Sequence, residues 1–180
     1  MSQGCKIRNQ HGLHFVTFTV VYWIDIFTRP IYKDLIIDSL KHCKKEKELE
    51  VFAYVIMSNH LHLIVRSQEL ELSNIIRDFK KFTSKKIIDT IKEIPESRKE
   101  WMLWMMERAA KKHSRNKKHQ FWQQNNHPEE LLSNKFIKQK IQYIHENPVR
   151  AGLVTLPEDY RYSSARNYTG LESELEIITL

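Results

Sequence analysis

The sequence predicts an α+β fold, an antiparallel sheet backed by helices of the ferredoxin-like kind, in a single domain spanning residues 1–180. Three observations predict it. Apolar and aromatic segments fall in the order strand, helix, strand, strand, helix, followed by further helices and room for one more strand. The second and third strands are separated only by Ser58-Asn59-His60, a composition that turns a chain tightly into a hairpin. With 180 residues, 41% of them hydrophobic and only four glycines, the chain is long enough for one well-buried core. It shows no repeat, linker or low-complexity segment.

Phe15 to Trp23 (FVTFTVVYW) is β-branched and aromatic with threonine interleaved, which reads as a partly buried strand. Pro30 can open a helix, and Ile31, Leu35, Ile36 and Leu40 then recur near helical spacing before a Lys-rich end. Val51 to Met57 and Leu61 to Val65 are the two hairpin strands. From Leu72, Ile75, Ile76, Phe79, Phe82, Ile87 and Ile91 mark the inner face of a helix that stops before Pro95. Its other face carries Arg77, Lys80, Lys81, Lys85 and Lys86. Ser97 and Glu100 have capping-box spacing, and Met102, Met105, Met106 and Ala109 form one face of a further helix that runs into Lys111, Lys112, Arg115, Lys117 and Lys118. His119 to Gln123 reads as a short strand. A last helix from about Asn134 turns Phe136, Ile137, Ile141 and Ile144 inward, and Pro148 is expected to end it. The acidic, apolar tail, residues 171–180, is expected either as an edge strand or as a mobile flap.

The formal net charge is +7, from 29 Lys and Arg against 22 Asp and Glu, so the field of the protein attracts polyanions and nucleic acid is the natural partner. The only cysteines, Cys5 and Cys43, form neither a zinc clip nor a disulfide framework, and a reducing cytosol fits best. The most apolar stretch, His14 to Phe27, is interrupted by Thr17, Thr19 and Asp25 and is too short to span a bilayer. No signal peptide or membrane anchor is expected, and the location is read as cytoplasmic, in association with the nucleoid.

Alternate side chains of a strand share a face, so His60 and His62 project together while Leu61 and Leu63 enter the core. Two imidazoles on one face can share a divalent ion, although a sheet also exposes two histidines by chance. An ion held by imidazoles and an amide or carboxylate, with positions left open, can polarise a phosphodiester. Tyr143 and Asn147 lie four apart on the last helix and would share a face. Tyr143 can serve as a nucleophile or simply fill the helix–sheet interface, and Asn147 can bind the ion or merely end the helix.

Four blocks resolve these alternatives by resemblance. They are Val55-Ile56-Met57-Ser58-Asn59-His60-Leu61-His62-Leu63-Ile64-Val65, then Phe121-Trp122-Gln123, then Tyr143-Ile144-His145-Glu146-Asn147-Pro148-Val149-Arg150-Ala151-Gly152-Leu153-Val154, then Tyr162-Ser163-Ser164-Ala165. In this order they resemble the REP-associated tyrosine transposases, a branch of the single-tyrosine, IS200-like HUH transposases, over His14 to about Tyr168. The resemblance implies an RRM-like variant of the fold in which His60, His62 and Asn147 hold Mg²⁺ or Mn²⁺ and Tyr143 attacks DNA. It also implies a hairpin or palindromic-repeat substrate with a flanking single strand. Two departures stand out: Ser58 replaces the family's usual proline before Asn-His, and the basic segment Lys111 to Lys118 is longer than in other members.

DNA contacts are expected at Lys80, Lys81, Lys85, Lys86, Lys111, Lys112, Arg115 and Arg150, with Trp101, Trp104, Phe121 and Trp122 near the basic segments. The chemistry expected is single-strand cleavage and strand transfer through a 5′-phosphotyrosine. A hairpin-binding regulator without catalysis is the alternative from a different class, and a phosphodiesterase or replication-initiation nuclease on the same scaffold is a third. The protein is expected as a monomer or a homodimer.

Overall fold

The computed structural model describes residues 7–112 and 118–180, so Cys5, Arg115 and Lys117 lie outside the described residues. Strand β1 is His14–Thr19, helix α1 Pro30–Glu46, strand β2 Glu50–Ile56, strand β3 His60–Arg66 and helix α2 Leu72–Glu93. Helix α3, Lys99–Lys111, the two-residue strand β4, Glu129–Glu130, helix α4, Asn134–Arg150, and the short helix α5, Ala165–Tyr168, complete the order. The sheet is antiparallel with strands in the order β2-β3-β1-β4, the spatial order of a ferredoxin-like sheet. The expected fold class is the observed one.

The register of β1 on β3 sets the two faces. Thr17 lies opposite His62 and Thr19 opposite His60, so these residues share one face with Phe15. Val16, Phe18, Leu61 and Leu63 take the other and are buried. Against that apolar face lie α1 and α2, with Phe79 of α2 meeting Phe18 at a ring-centroid distance of 5.8 Å. Helix α4 lies on the opposite side, against β2 and β3. The outer edge of β2 is covered rather than left open. Ser164 accepts from Tyr54 N and donates to Tyr54 O, Ile56 N donates to Tyr162 O, and in the tail Ile178 N donates to Val51 O. Among the described residues no helix is long and apolar enough to cross a membrane.

Several expectations are corrected. The first strand ends at Thr19, four residues before Trp23, and passes into a 3-10 turn at Val21–Trp23. His119 to Gln123 makes an isolated bridge, Val20 with Trp122, rather than a strand. Phe121 and Trp122 there plug the core beside Phe27, and the fourth strand forms later, at Glu129–Glu130. The Ser97–Glu100 capping box is absent: α3 starts at Lys99, and Glu96 takes the Arg98 N–H and pairs with Arg29 and Arg98. Phe82 is 60% exposed, outside the buried stripe of α2. Pro148 does not end α4, which runs on to Arg150. The stop is Gly152 at φ 69°, where Gly152 N donates to Val149 O and Leu153 N to Pro148 O, the paired bonds of a Schellman motif.

Candidate active site

His60 opens β3 directly after the hairpin turn, and His62 follows on the same face. Their ring centroids lie 4.8 Å apart. Each ring is oriented through Nδ1: in His60 it meets Asn59 Oδ1 at 2.7 Å, and in His62 it meets Thr17 Oγ1 at 2.8 Å. An amide oxygen only accepts, so Nδ1 of His60 carries the proton and Nε2 presents its lone pair. Nε2 of His62 is buried and has no hydrogen-bond partner among the described residues. Such an orphaned polar atom is costly unless something binds it. Burial lowers the pKa of His60, and burial, His60 and Lys140 together push His62 down to about 3. Both rings are therefore neutral near pH 7, as metal coordination requires.

Tyr143 reaches the pair from α4. Its ring stands edge-on to His62 at 5.3 Å and to Phe15 at 6.0 Å, and Phe15 stacks on His62 at 5.3 Å. The tyrosine is 38% exposed, so one side of the ring is held and the rest is open to a substrate. One turn further on, Asn147 donates from Nδ2 to Tyr143 O at 2.7 Å, which leaves Oδ1 as the atom that can face a cation. Among the described residues no group of three His, Cys, Asp or Glu could hold a metal ion. Two imidazoles and an amide are an ordinary donor set for a divalent first-row metal with open positions.

Cations surround the tyrosine. The Arg150 guanidinium lies 5.7 Å and the Lys140 ammonium 6.0 Å from the centre of its ring. Lys140 also sits 4.3 Å over Phe15 and pairs with Glu129 at 2.8 Å. Sequence reasoning missed Lys140, Thr17 and Asn59. A signal existed for Thr17, which lies at the position of β1 that faces a β3 histidine once the register is known. Thr17→Val keeps the branched shape but loses the hydroxyl, and is expected to weaken divalent-metal binding about 10- to 100-fold. Calorimetric titration with Mn²⁺ checks this, and an unchanged affinity would contradict it.

The remaining basic residues are dispersed. Arg150 stands at the tyrosine. Lys81, Lys85 and Lys86 are exposed on α2, on the far side of the sheet from the histidines. Lys80 is half-buried, with its ammonium bonded to Gln123 O at 2.8 Å and Asn126 Oδ1 at 2.5 Å, and desolvation brings its pKa down to about 8. Lys111 and Lys112 are exposed at the end of α3, where Lys112 covers the Tyr22 ring at 5.2 Å. His145 turns away from the site, meeting Ser164 Oγ at 2.9 Å and the edge of Tyr168.

A titration follows from these burials. Burial holds His145 at about 4 and, with its neighbours, His62 at about 3, against 6.5 for an ordinary histidine. Below about pH 6.5 the unfolded chain takes up protons that the folded protein refuses. Stability is thus fully present above about pH 6.5 and is lost as pH falls towards 4. Thermal melts in chelator should give a Tm level above about pH 7 and declining below about pH 6, with a shallower decline for His145→Gln. An equally steep decline in that variant would contradict the assignment.

A model of the family described as "Transposase IS200 like" matches residues 8–119. The chain belongs to this IS200-like transposase family. The matched stretch runs from before β1 to the residues after α3 and includes His60 and His62, while Tyr143 and Asn147 lie beyond it. Among solved structures, one of a REP-associated tyrosine transposase bound to a REP hairpin is similar at a TM-score of 0.64 and 19% identity. The match covers 99% of this chain and 92% of that one, so the fold shared with that structure extends through α4. A protein from Deinococcus radiodurans R1, crystallised as a candidate transposase, is similar at a TM-score of 0.47 and 15% identity, over 81% of this chain and 97% of that one. No curated protein matches the chain.

Proposed function

We propose that the protein is a metal-dependent single-strand DNA endonuclease and strand transferase of the single-tyrosine HUH type. Its substrate is hairpin or palindromic-repeat DNA with an unpaired flank, and it works through a 5′-phosphotyrosine. The observation that carries this reading is the Tyr143 ring set 5.3 Å from His62, an imidazole whose buried Nε2 has no partner among the described residues. A structural tyrosine would explain the ring contact but not the orphaned nitrogen beside it. The fold shared with a transposase bound to a REP hairpin supports the choice of DNA substrate.

His60, His62 and Asn147 would hold the ion, Mg²⁺ or Mn²⁺, which when bound supplies Lewis-acid polarisation of the scissile phosphate. Arg150 and Lys140, flanking the tyrosine, meet the phosphate charge and orient the strand. The Tyr143 oxygen attacks phosphorus in line, the bond from phosphorus to the 3′-oxygen breaks, and the departing 3′-oxygen takes up a proton. The phenolic proton leaves to solvent, to which the ring is open. The new phosphotyrosine ester conserves the energy of the broken bond, so attack by another 3′-hydroxyl reseals DNA and frees the tyrosine.

Incubation with a flanked DNA hairpin and Mn²⁺ should yield a species that survives denaturing electrophoresis and carries labelled DNA, and chelator should prevent it. Tight hairpin binding with no such species under Mg²⁺ or Mn²⁺ would instead make the protein a non-catalytic hairpin-binding regulator.

A further inference from the structure

Beyond Thr19, opposite His60, the chain does something unusual for its sequence. Tyr22 and Trp23 both take left-handed backbone, at φ 53° and 56°. Large aromatic residues rarely adopt this conformation, and two in succession persist only when their surroundings enforce it. The enforcement is visible: Val21 N donates to Phe121 O at 2.8 Å, Trp23 N to Val20 O at 3.1 Å, and Asn59 Nδ2 to Trp23 O at 3.3 Å. The result is to turn both rings outward. Trp23 is 59% exposed, with its ring 6.0 Å from His60, and Tyr22 lies under the Lys112 ammonium.

Lys112 begins a second run of the same kind. Trp101, Trp104, Arg108 and Lys112 recur at three- and four-residue spacing on one face of α3 and its cap, all exposed, with the Arg108 guanidinium 5.5 Å over Trp104. This part of the strip is about 16 Å long at 1.5 Å per residue. Two flat rings, Trp101 and Trp104, two cations, Arg108 and Lys112, and two further rings, Tyr22 and Trp23, thus follow one another and end at the histidine pair. An open cavity of about 490 Å³ adjoins Tyr22 and Trp23, walled in part by the amides of Gln123, Gln124 and Asn125.

Single-stranded DNA has the complementary chemistry: bases that stack on rings, phosphates that pair with cations, and edges that bond to amides. We propose that this strip carries the unpaired strand adjoining the cleaved phosphate. Trp23 and Tyr22 stack the bases nearest the histidines, and Trp104 and Trp101 those further out. The inference rests on the nuclease reading above for the location of the cleaved phosphate, but the binding itself can be tested without cleavage. A protein-binding surface would need the rings to form one apolar patch, whereas here Arg108 and Lys112 separate the α3 tryptophans from Tyr22 and Trp23 and each lies against a ring.

The test uses the full chain in chelator, with a fluorescent oligothymidylate about ten nucleotides long and a blunt DNA hairpin as probes. Trp104→Ala and Trp23→Gly are each expected to weaken oligothymidylate binding about tenfold, within the range for loss of one base–ring stack, and hairpin binding less than about twofold. Glycine is at ease at φ 56°, so Trp23→Gly should melt no lower than the wild type, which separates a lost contact from a lost fold. Oligothymidylate affinity unchanged in both variants, or strand and hairpin weakened alike, would overturn the proposal. So would wild-type self-association in sedimentation that Trp104→Ala abolishes. If strand binding follows the rings but no covalent adduct forms with metal, the nuclease reading alone fails. If the adduct forms and strand binding ignores the rings, the strip alone fails.

Discussion

Tyr143→Phe leaves a folded protein that binds DNA and forms no covalent adduct, with strand cleavage lower by about four orders of magnitude or more, the scale of losing a nucleophile outright. The change removes one oxygen from a side chain already 38% exposed. The ring contacts with His62 and Phe15 and the cations over the ring remain. Stability should therefore be within about 0.5 kcal/mol of the wild type, as for an ordinary surface change. Denaturing electrophoresis with labelled DNA and a thermal melt check both halves, and residual adduct in the variant would move the nucleophile elsewhere.

His62→Ala is expected to weaken Mn²⁺ binding by at least about a hundredfold, since changes to groups that merely orient a ligand already reach that scale. The consequence appears in stability as well as in activity. Metal at about 100 times its Kd stabilises a folded protein by about 2.7 kcal/mol, so Mn²⁺ should raise the Tm of the wild type and leave that of His62→Ala unmoved. Because truncation also opens space between Phe15 and Tyr143, His62→Gln serves as a fuller replacement. A metal-induced rise in Tm retained in both variants would remove His62 from the ligand set.

Much of this site is legible in the primary structure, for reasons that differ by residue. His60 and His62 are readable because a hairpin imposes strict alternation, and Ser58-Asn59 fixes where the strand begins. That Tyr143 meets them is not contained in any local pattern. It depends on α4 crossing β2 and β3, and only resemblance to a family supplies that contact in advance. The run FVTFTVVYW reads as strand to its end, because β-propensity describes side chains and not partners. The partner strand begins at His60, opposite Thr19, so pairing stops there and the next residues take the turn that displays Tyr22 and Trp23.

The ends of α4 and the fate of Lys80 teach the same lesson. Pro148 forfeits one backbone bond, which packing tolerates near a helix end, and the residue that stops the helix is the one able to hold φ 69°, Gly152. Lys80 sits among exposed lysines on the outer face of α2, yet the segment around Gln123 and Asn126 covers its ammonium. Charge on an amphipathic helix marks the face away from its own core, but a later loop can roof part of that face. Trp101 and Trp104 are the reverse case, large aromatic residues that hydrophobicity alone would bury and that the fold leaves in solvent on α3.

The most direct measurement is peptide mapping of the covalent complex by mass spectrometry after digestion of protein and DNA. The nucleotide remnant should sit on the peptide containing Tyr143, attached through a 5′-phosphate, with the released DNA fragment ending in a free 3′-hydroxyl. A remnant on any other residue, or cleavage that leaves free 5′-phosphates and unmodified protein, would contradict the assignment of Tyr143 and His62 to one catalytic centre.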